Sequence, residues 1–307
     1  MVALGTTVVL TRDDSGSAPH QGSQGAVTVR GDGSLAEAVK DTAVSWPEDG
    51  QTAVKIEGES ALGVRGEQQP VPVASLAKVM TAHVILTEHP LRPDEQGPLI
   101  AVDQQAANEV GVGGESTVPV RPDDTFSQRH MLELLLIPSG NNIARLLARW
   151  DSGTQEAFVE KMQSAARELS MDHSTYTGAS GIEETTRSTA TDQLRLAQQV
   201  MKNPVFRDIV ASRTVTVPRV GPVGNTNSLL GTSGVIGLKT GSSTPAGGNL
   251  LWASEVRIGD KNRLMLGAVL HQQANTTAGE GLRAALDNSR ALIDGLRSRL
   301  SSLRSEG

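Results

Sequence analysis

Ser75 and Lys78 stand three residues apart in PVASLAKVM (72–80), at the head of an apolar run. On a helix this spacing puts both side chains on one face. A lysine whose charge is suppressed by burial can take the proton of a serine hydroxyl, turning its oxygen into a nucleophile toward a carbonyl. A second cation nearby suppresses that charge further. Serine is also a favoured helix N-cap and lysine a good helix former, so the pair alone reads equally well as the polar start of a helix.

Two more elements change the weighing: Ser139-Gly140-Asn141 in LLIPSGNNIA and Lys239-Thr240-Gly241 in VIGLKTGSST. Average residue usage makes a given tripeptide such as Lys-Thr-Gly rare by chance in a chain of this length. All three elements in this order resemble the motif set of serine-type D-alanyl-D-alanine carboxypeptidases, among the low-molecular-mass penicillin-binding proteins. The resemblance runs from about Trp46 to about Leu296 and includes the framing stretches PVPVASLAKVMTA, LLLIPSGNNIARLLARWD, STATD and NSLLGTSGVIGLKTGSSTPAGGNLLWA.

The resemblance implies roles residue by residue. Ser75 is then the nucleophile, Lys78 its base, and Ser139 the relay that protonates the leaving D-alanine. Asn141 binds a substrate peptide carbonyl, although its place before NIARLLARW equally suits a helix N-cap. Lys239 supplies positive potential and Thr240 a hydrogen bond for the terminal carboxylate. Gly241 leaves room for substrate along the strand, and the backbone N–H groups of Ser75 and Ser242 form an oxyanion hole. The implied partners are a peptidoglycan stem peptide ending in D-Ala-D-Ala and β-lactam antibiotics, with no metal or organic cofactor, at an extracytoplasmic location in the cell envelope.

Three alternatives share these motifs. A β-lactamase needs fast deacylation through a glutamate-bound water; Glu183 and Glu184 in ASGIEETTRST are present, in surroundings unlike that loop. A non-hydrolytic sensor would stop at acylation, and a transpeptidase would differ only in its acceptor. Other chemistries lack a motif: there is no Gly-x-Ser-x-Gly elbow, no His-Glu-x-x-His and no cysteine. Gly111–Thr117 is glycine-rich but lacks the Gly-Lys-Ser/Thr of a phosphate loop, so its role stays open.

The elements that must position these residues are legible in part. AVKIEG (53–58) and ALGVRG (61–66) alternate like two strands of a hairpin, and 75–89 has a wide apolar helical face that closes before Pro90. Helical signals follow at 127–136, 142–150, 155–169 and 191–201, and strand signals return at 214–218, 235–241, 249–258 and 263–270. A turn is expected at 259–262. The C-terminal run places Leu282, Leu286, Ile293, Leu296, Leu300 and Leu303 at helical spacing, as a stripe for the sheet. The expected class is α+β: an antiparallel sheet flanked by helices, with a helical subdomain inserted at about 88–212, as the resemblance to β-lactamase/transpeptidase-like folds also implies.

Residues 1–45 read as an apolar start and a Gly/Ser/Asp-rich linker, and 46–307 as the catalytic domain with its C-terminal helix. VALGTTVVL (2–10) is too short to span a bilayer, and we read it as the end of a membrane tether. A net charge of −6, with basic residues scattered along the chain, excludes a nucleic-acid groove. Aromatics make up only 2% of residues, so the core must be aliphatic and recognition must rest on hydrogen bonds and charge.

Overall fold

The computed structural model describes residues 44–302 except 59, 60, 218 and 259. The expected linker and tether up to residue 43, and Leu303, lie outside the described residues.

Strands β1 (Gln51–Ile56) and β2 (Ala61–Arg65) form the expected antiparallel pair. A short strand β3 (Val71–Pro72) leads into a 3₁₀ turn at Ala74–Leu76 and then helix α1 (Ala77–Glu88). The segment read as one helix from 75 is therefore a 3₁₀ turn followed by an α-helix, with Ser75 in the turn. Ala74 enters it at φ 48°, a left-handed conformation that costs a residue bearing a Cβ. Helix α1 is buried on nearly every side, so it is the central post of the molecule rather than a surface helix.

The inserted block holds β4 (Leu99–Ala101), α2 (Gln104–Asn108), β5 (Thr125–Ser127), α3 (Gln128–Leu136), α4 (Asn141–Ser152), α5 (Gln155–Glu168), β6 (Arg187–Ser188), α6 (Ala190–Val200) and α7 (Pro204–Ala211). Most of these helices start where a short polar side chain can accept from a free backbone N–H. Ser127 accepts from His130, Thr154 from Ala157, Thr189 from Asp192 and Asn203 from Val205 and Phe206. Helix α7 was not separated in the sequence, although Asn203 followed by Pro204 is a helix-start signal. Helix α4 departs from expectation: its N-cap is Gly140, and Asn141 is its first residue, so the Asn141 side chain does not cap it.

Strands β7 (Thr214–Val217) and β8 (Gly221–Gly224) then pair with each other in a separate two-stranded ribbon. The signal at 214–218 is thus a strand, but it does not complete the main sheet. That sheet takes β9 (Val235–Ser243), β10 (Gly247–Ile258) and β11 (Lys261–Gln272), and helix α8 (Ala278–Ser302) closes the chain. The order is β2-β1-β11-β10-β9, antiparallel throughout, so the N-terminal hairpin joins strands more than two hundred residues later. Ile258 pairs with Lys261 and Arg257 with Asn262, so Lys261 and Asn262, expected in the turn, belong to β11.

Alternation along the strands assigns the two faces of the sheet. Leu250, Trp252 and Val256 of β10, with Val54, Ile56, Met265 and Val269, pack against Leu292, Ile293, Leu296 and Leu300 of α8. Leu251 and Ala253, with Ala53, Leu266 and Ala268, face the other way into the core shared with α1 and the inserted helices. Ile293, Leu296 and Leu300 of the expected stripe meet the sheet with Leu286 partly buried beside them and Leu292 added, whereas Leu282 is not in that cluster.

Candidate active site

The site forms where the 3₁₀ turn, the start of α4 and the edge strand β9 converge beside α1. Ser75 lies in the turn and Lys78 one step into α1, where its side chain is fully buried. The Lys78 Nζ is 2.9 Å from Ser75 Oγ, 2.5 Å from Asn141 Oδ1 and 2.9 Å from the carbonyl oxygen of Ser180. Burial holds its pKa well below the usual lysine range, and the charges of Lys239 and Arg145 push in the same direction. Glu115 and Glu183 oppose them.

These contacts determine what the amine can do. Asn141 Oδ1 and the Ser180 carbonyl can only accept, so they take two N–H groups of Nζ. A neutral amine has two N–H groups, and its lone pair is then left for the Ser75 hydroxyl. The Asn141 amide is oriented consistently, because its Nδ2 donates to Glu115 Oε2 at 2.9 Å, and a carboxylate can only accept.

Ser139 ends the loop before α4 with φ 64° and is 4% exposed, and its Oγ has no hydrogen-bond partner among the described residues. A buried hydroxyl without a partner is costly and calls for an explanation. Lys239 and Thr240 sit on β9 and are also buried. Lys239 Nζ donates to the carbonyl of Thr240 at 3.0 Å, and burial pushes its pKa down to about 7. The Thr240 and Thr226 hydroxyls are 2.5 Å apart. Ser242 is half-buried, two positions beyond Thr240 on the same strand.

Gly241 has a second reason to lack a side chain beyond room for a substrate. A Cβ there would sit 2.8 Å from the Val73 carbonyl oxygen and 3.0 Å from the backbone nitrogens of Ser75 and Leu76. The edge strand thus touches the 3₁₀ turn backbone to backbone, and the Ser75 amide lies directly against β9.

The structure adds residues that sequence reasoning did not single out. Ser180 contributes through its carbonyl, an atom every residue has, so its type carries no signal. Gly181 beside it has φ 79°, and a Cβ there would meet the Ala74 carbonyl oxygen at 2.0 Å, so only glycine brings this loop against the turn. Glu115 lies in the glycine-rich loop whose role was open, and Arg145 on α4 is its partner at 3.0 Å. Of the two glutamates considered for deacylation, Glu184 is exposed. Glu183 packs its carboxylate over Gly178, leaving Oε2 buried with no hydrogen-bond partner. A cavity of about 740 Å³ lined by Lys55, Glu57, Glu168, Arg195, Lys202 and Arg207 contains none of the site residues.

The chain is similar to known proteins over most of the described region. The D-alanyl-D-alanine carboxypeptidase of Streptomyces sp. strain K15 is 31% identical over 197 residues, 59% of this chain and 67% of that protein. The D-alanyl-D-alanine carboxypeptidase DacB2 of Mycobacterium tuberculosis is 33% identical over 205 residues, 64% of this chain and 67% of its own length. In three dimensions the Streptomyces K15 DD-transpeptidase superposes with a TM-score of 0.69 at 24% identity, covering 80% of this chain and 96% of that one, which establishes a shared fold. The chain spans about half to two thirds of the length of the curated relatives it matches. The family profile described as D-alanyl-D-alanine carboxypeptidase, peptidase S11, matches residues 47–269. Since that match runs through the hairpin, the inserted helices and all three motifs, the chain belongs to the peptidase S11 family of D-alanyl-D-alanine carboxypeptidases.

Proposed function

We propose that the protein is a serine D-alanyl-D-alanine carboxypeptidase that trims peptidoglycan stem peptides and is acylated by β-lactams at the same serine. The observation that carries this reading is the buried Lys78 amine, 2.9 Å from Ser75 Oγ and otherwise surrounded by acceptors.

In the first half-reaction Ser75 Oγ attacks the carbonyl carbon between the two D-alanines while its proton passes to Lys78 Nζ. The tetrahedral oxyanion is held by the backbone N–H groups of Ser75 and Ser242, a reading supported by the contact of Gly241 with the turn. The C–N bond breaks as the proton moves from Lys78 through the unpartnered Ser139 hydroxyl to the departing amine. An ester on Ser75 and free D-alanine result. Water then attacks the ester and gives one proton, by way of Lys78, to Ser75 Oγ; the shortened peptide leaves as a carboxylate after its acid proton passes to solvent. Lys239 and Thr240 bind the substrate's terminal carboxylate, whose charge favours the protonated form of Lys239. Asn141 turns its remaining amide N–H to a substrate carbonyl. Family members act on peptidoglycan in the cell envelope, and we place this protein there. Among the described residues no helix is long and apolar enough to cross a membrane.

The test is intact mass after exposure to a fluorescent penicillin, run beside D-alanine release from a diacyl-Lys-D-Ala-D-Ala peptide, with Ser75→Ala as control. A lasting adduct and D-alanine release, both lost in Ser75→Ala, are expected. Rapid penicillin turnover would instead indicate a β-lactamase, a stable adduct without D-alanine release a sensor or transpeptidase, and no adduct would refute the reading.

A further inference from the structure

The glycine-rich loop before α4, from which Glu115 reaches Asn141, is tied to that helix by an ordered set of bonds. Gly111, Gly113 and Gly114 all have φ between 66° and 75°, a region open to glycine, and they give the loop its shape. Arg149 of α4 holds Asp103 through two bonds of 2.7 and 2.9 Å. One turn earlier, Arg145 donates to Glu109 at 2.8 Å and to Glu115 at 3.0 Å. The Ser116 carbonyl accepts from the backbone N–H of Asn141 at 2.8 Å, and the Asn142 side chain bonds both backbone groups of Val118. These links bring one oxygen of Glu115 to the amide of Asn141, whose other end faces Lys78.

From this geometry we infer that Glu115 is a positioning residue: it holds the Asn141 amide in the one sense that presents an acceptor to Lys78, and balances the Arg145 charge behind it. The inference rests on the proposed role of Lys78 as the base. With Glu115 absent, the Asn141 amide is free to turn and donate its N–H groups to the lysine, competing with the Ser75 hydroxyl for the Nζ lone pair. The charge matters separately, because the charged groups acting on Lys78 are Lys239, Arg145, Glu115 and Glu183, two of each sign. Removing Glu115 leaves the cations dominant, so Lys78 gives up its proton at lower pH.

Two substitutions separate the effects. Glu115→Gln keeps the shape and the acceptor but removes the charge; Glu115→Ala removes both. The readout is the second-order rate of Ser75 acylation by a fluorescent penicillin across pH, with Glu109→Gln as the control that loosens the same Arg145 without touching Asn141. For Glu115→Gln the acid limb moves down by about one pH unit with the plateau retained. For Glu115→Ala the plateau falls about tenfold. Glu109→Gln lowers the melting temperature and leaves the limb in place. If wild type is acylated and both Glu115 variants keep its limb and plateau, or Glu109→Gln shifts the limb equally, Glu115 is only a structural clamp and the inference fails. An unacylated wild type would overturn the proposed function and this inference together.

Discussion

Lys78 and Lys239 show how far burial can move a residue from its usual chemistry. Both amines are almost wholly shielded from solvent, and among the described residues neither has a carboxylate within hydrogen-bond reach. The charge is therefore penalised, and each amine tends toward its neutral form. For Lys239 the consequence can be measured. Its folded pKa is about 7 against an ordinary 10.5, so between these values the unfolded chain holds a proton that the folded protein has released. Unfolding free energy then rises with pH through that window. Compared by chemical denaturation from pH 7 to pH 10, wild type should gain stability relative to Lys239→Met; a difference constant in pH would mean that Lys239 stays charged when folded. Ser139 gives a second prediction. Its hydroxyl bonds to nothing among the described residues, so Ser139→Ala removes no hydrogen bond and should change stability by no more than about 1 kcal/mol. As a proton relay it should nevertheless matter, and D-alanine release should fall about a hundredfold. Unchanged release with lowered stability would make it a packing residue.

At the scale of elements, the site depends on a strand edge and a turn that approach closer than side chains allow. Gly241→Ala would place a methyl 3.0 Å from the Ser75 amide nitrogen and 2.8 Å from the Val73 carbonyl oxygen, both backbone atoms that cannot rotate away. The turn must shift, and a displacement of this order at the nucleophile costs about a hundredfold in acylation rate. Penicillin labelling kinetics measure that loss, and circular dichroism should show the fold retained. Equal loss of acylation and fold would place the glycine in the core rather than in the site. Much at this scale was legible beforehand. The capping residues Ser127, Thr154 and Thr189 stand where helices begin, and the alternation in β10 separates Trp252 from Leu251 onto opposite faces. The 3₁₀ turn was not legible, because Ser75, Leu76 and Ala77 suit an α-helix equally well. The turn packs against β9 at Gly241 and against the loop at Gly181, neighbours that no local stretch contains. Nor could the sequence show that β7 pairs with β8, since strand propensity does not name a partner.

At the scale of the whole molecule, the sheet separates stability from chemistry. Helix α8 covers one face, and the core on the other face includes Leu76, Ala77 and Val79, which flank the proposed catalytic Ser75 and Lys78. Leu296 is fully buried on the α8 side, so Leu296→Ala should cost about 2–5 kcal/mol. The acylation rate of the folded fraction should stay at the wild-type value; a fall there would show that α8 supports the site through the sheet. The sequence alone determined the identity and order of the three motifs, the α+β class, the core-facing stripes and most helix starts, because these depend on residue type and short-range periodicity. Only the tertiary structure decided which atoms meet. Lys78 reaches Asn141 across 63 positions and the Ser180 carbonyl across 102. Glu115 became part of the site only through α4. The protonation of Lys78 belongs to the same class: desolvation is produced by atoms from distant segments closing around the amine, and no local stretch of sequence contains them.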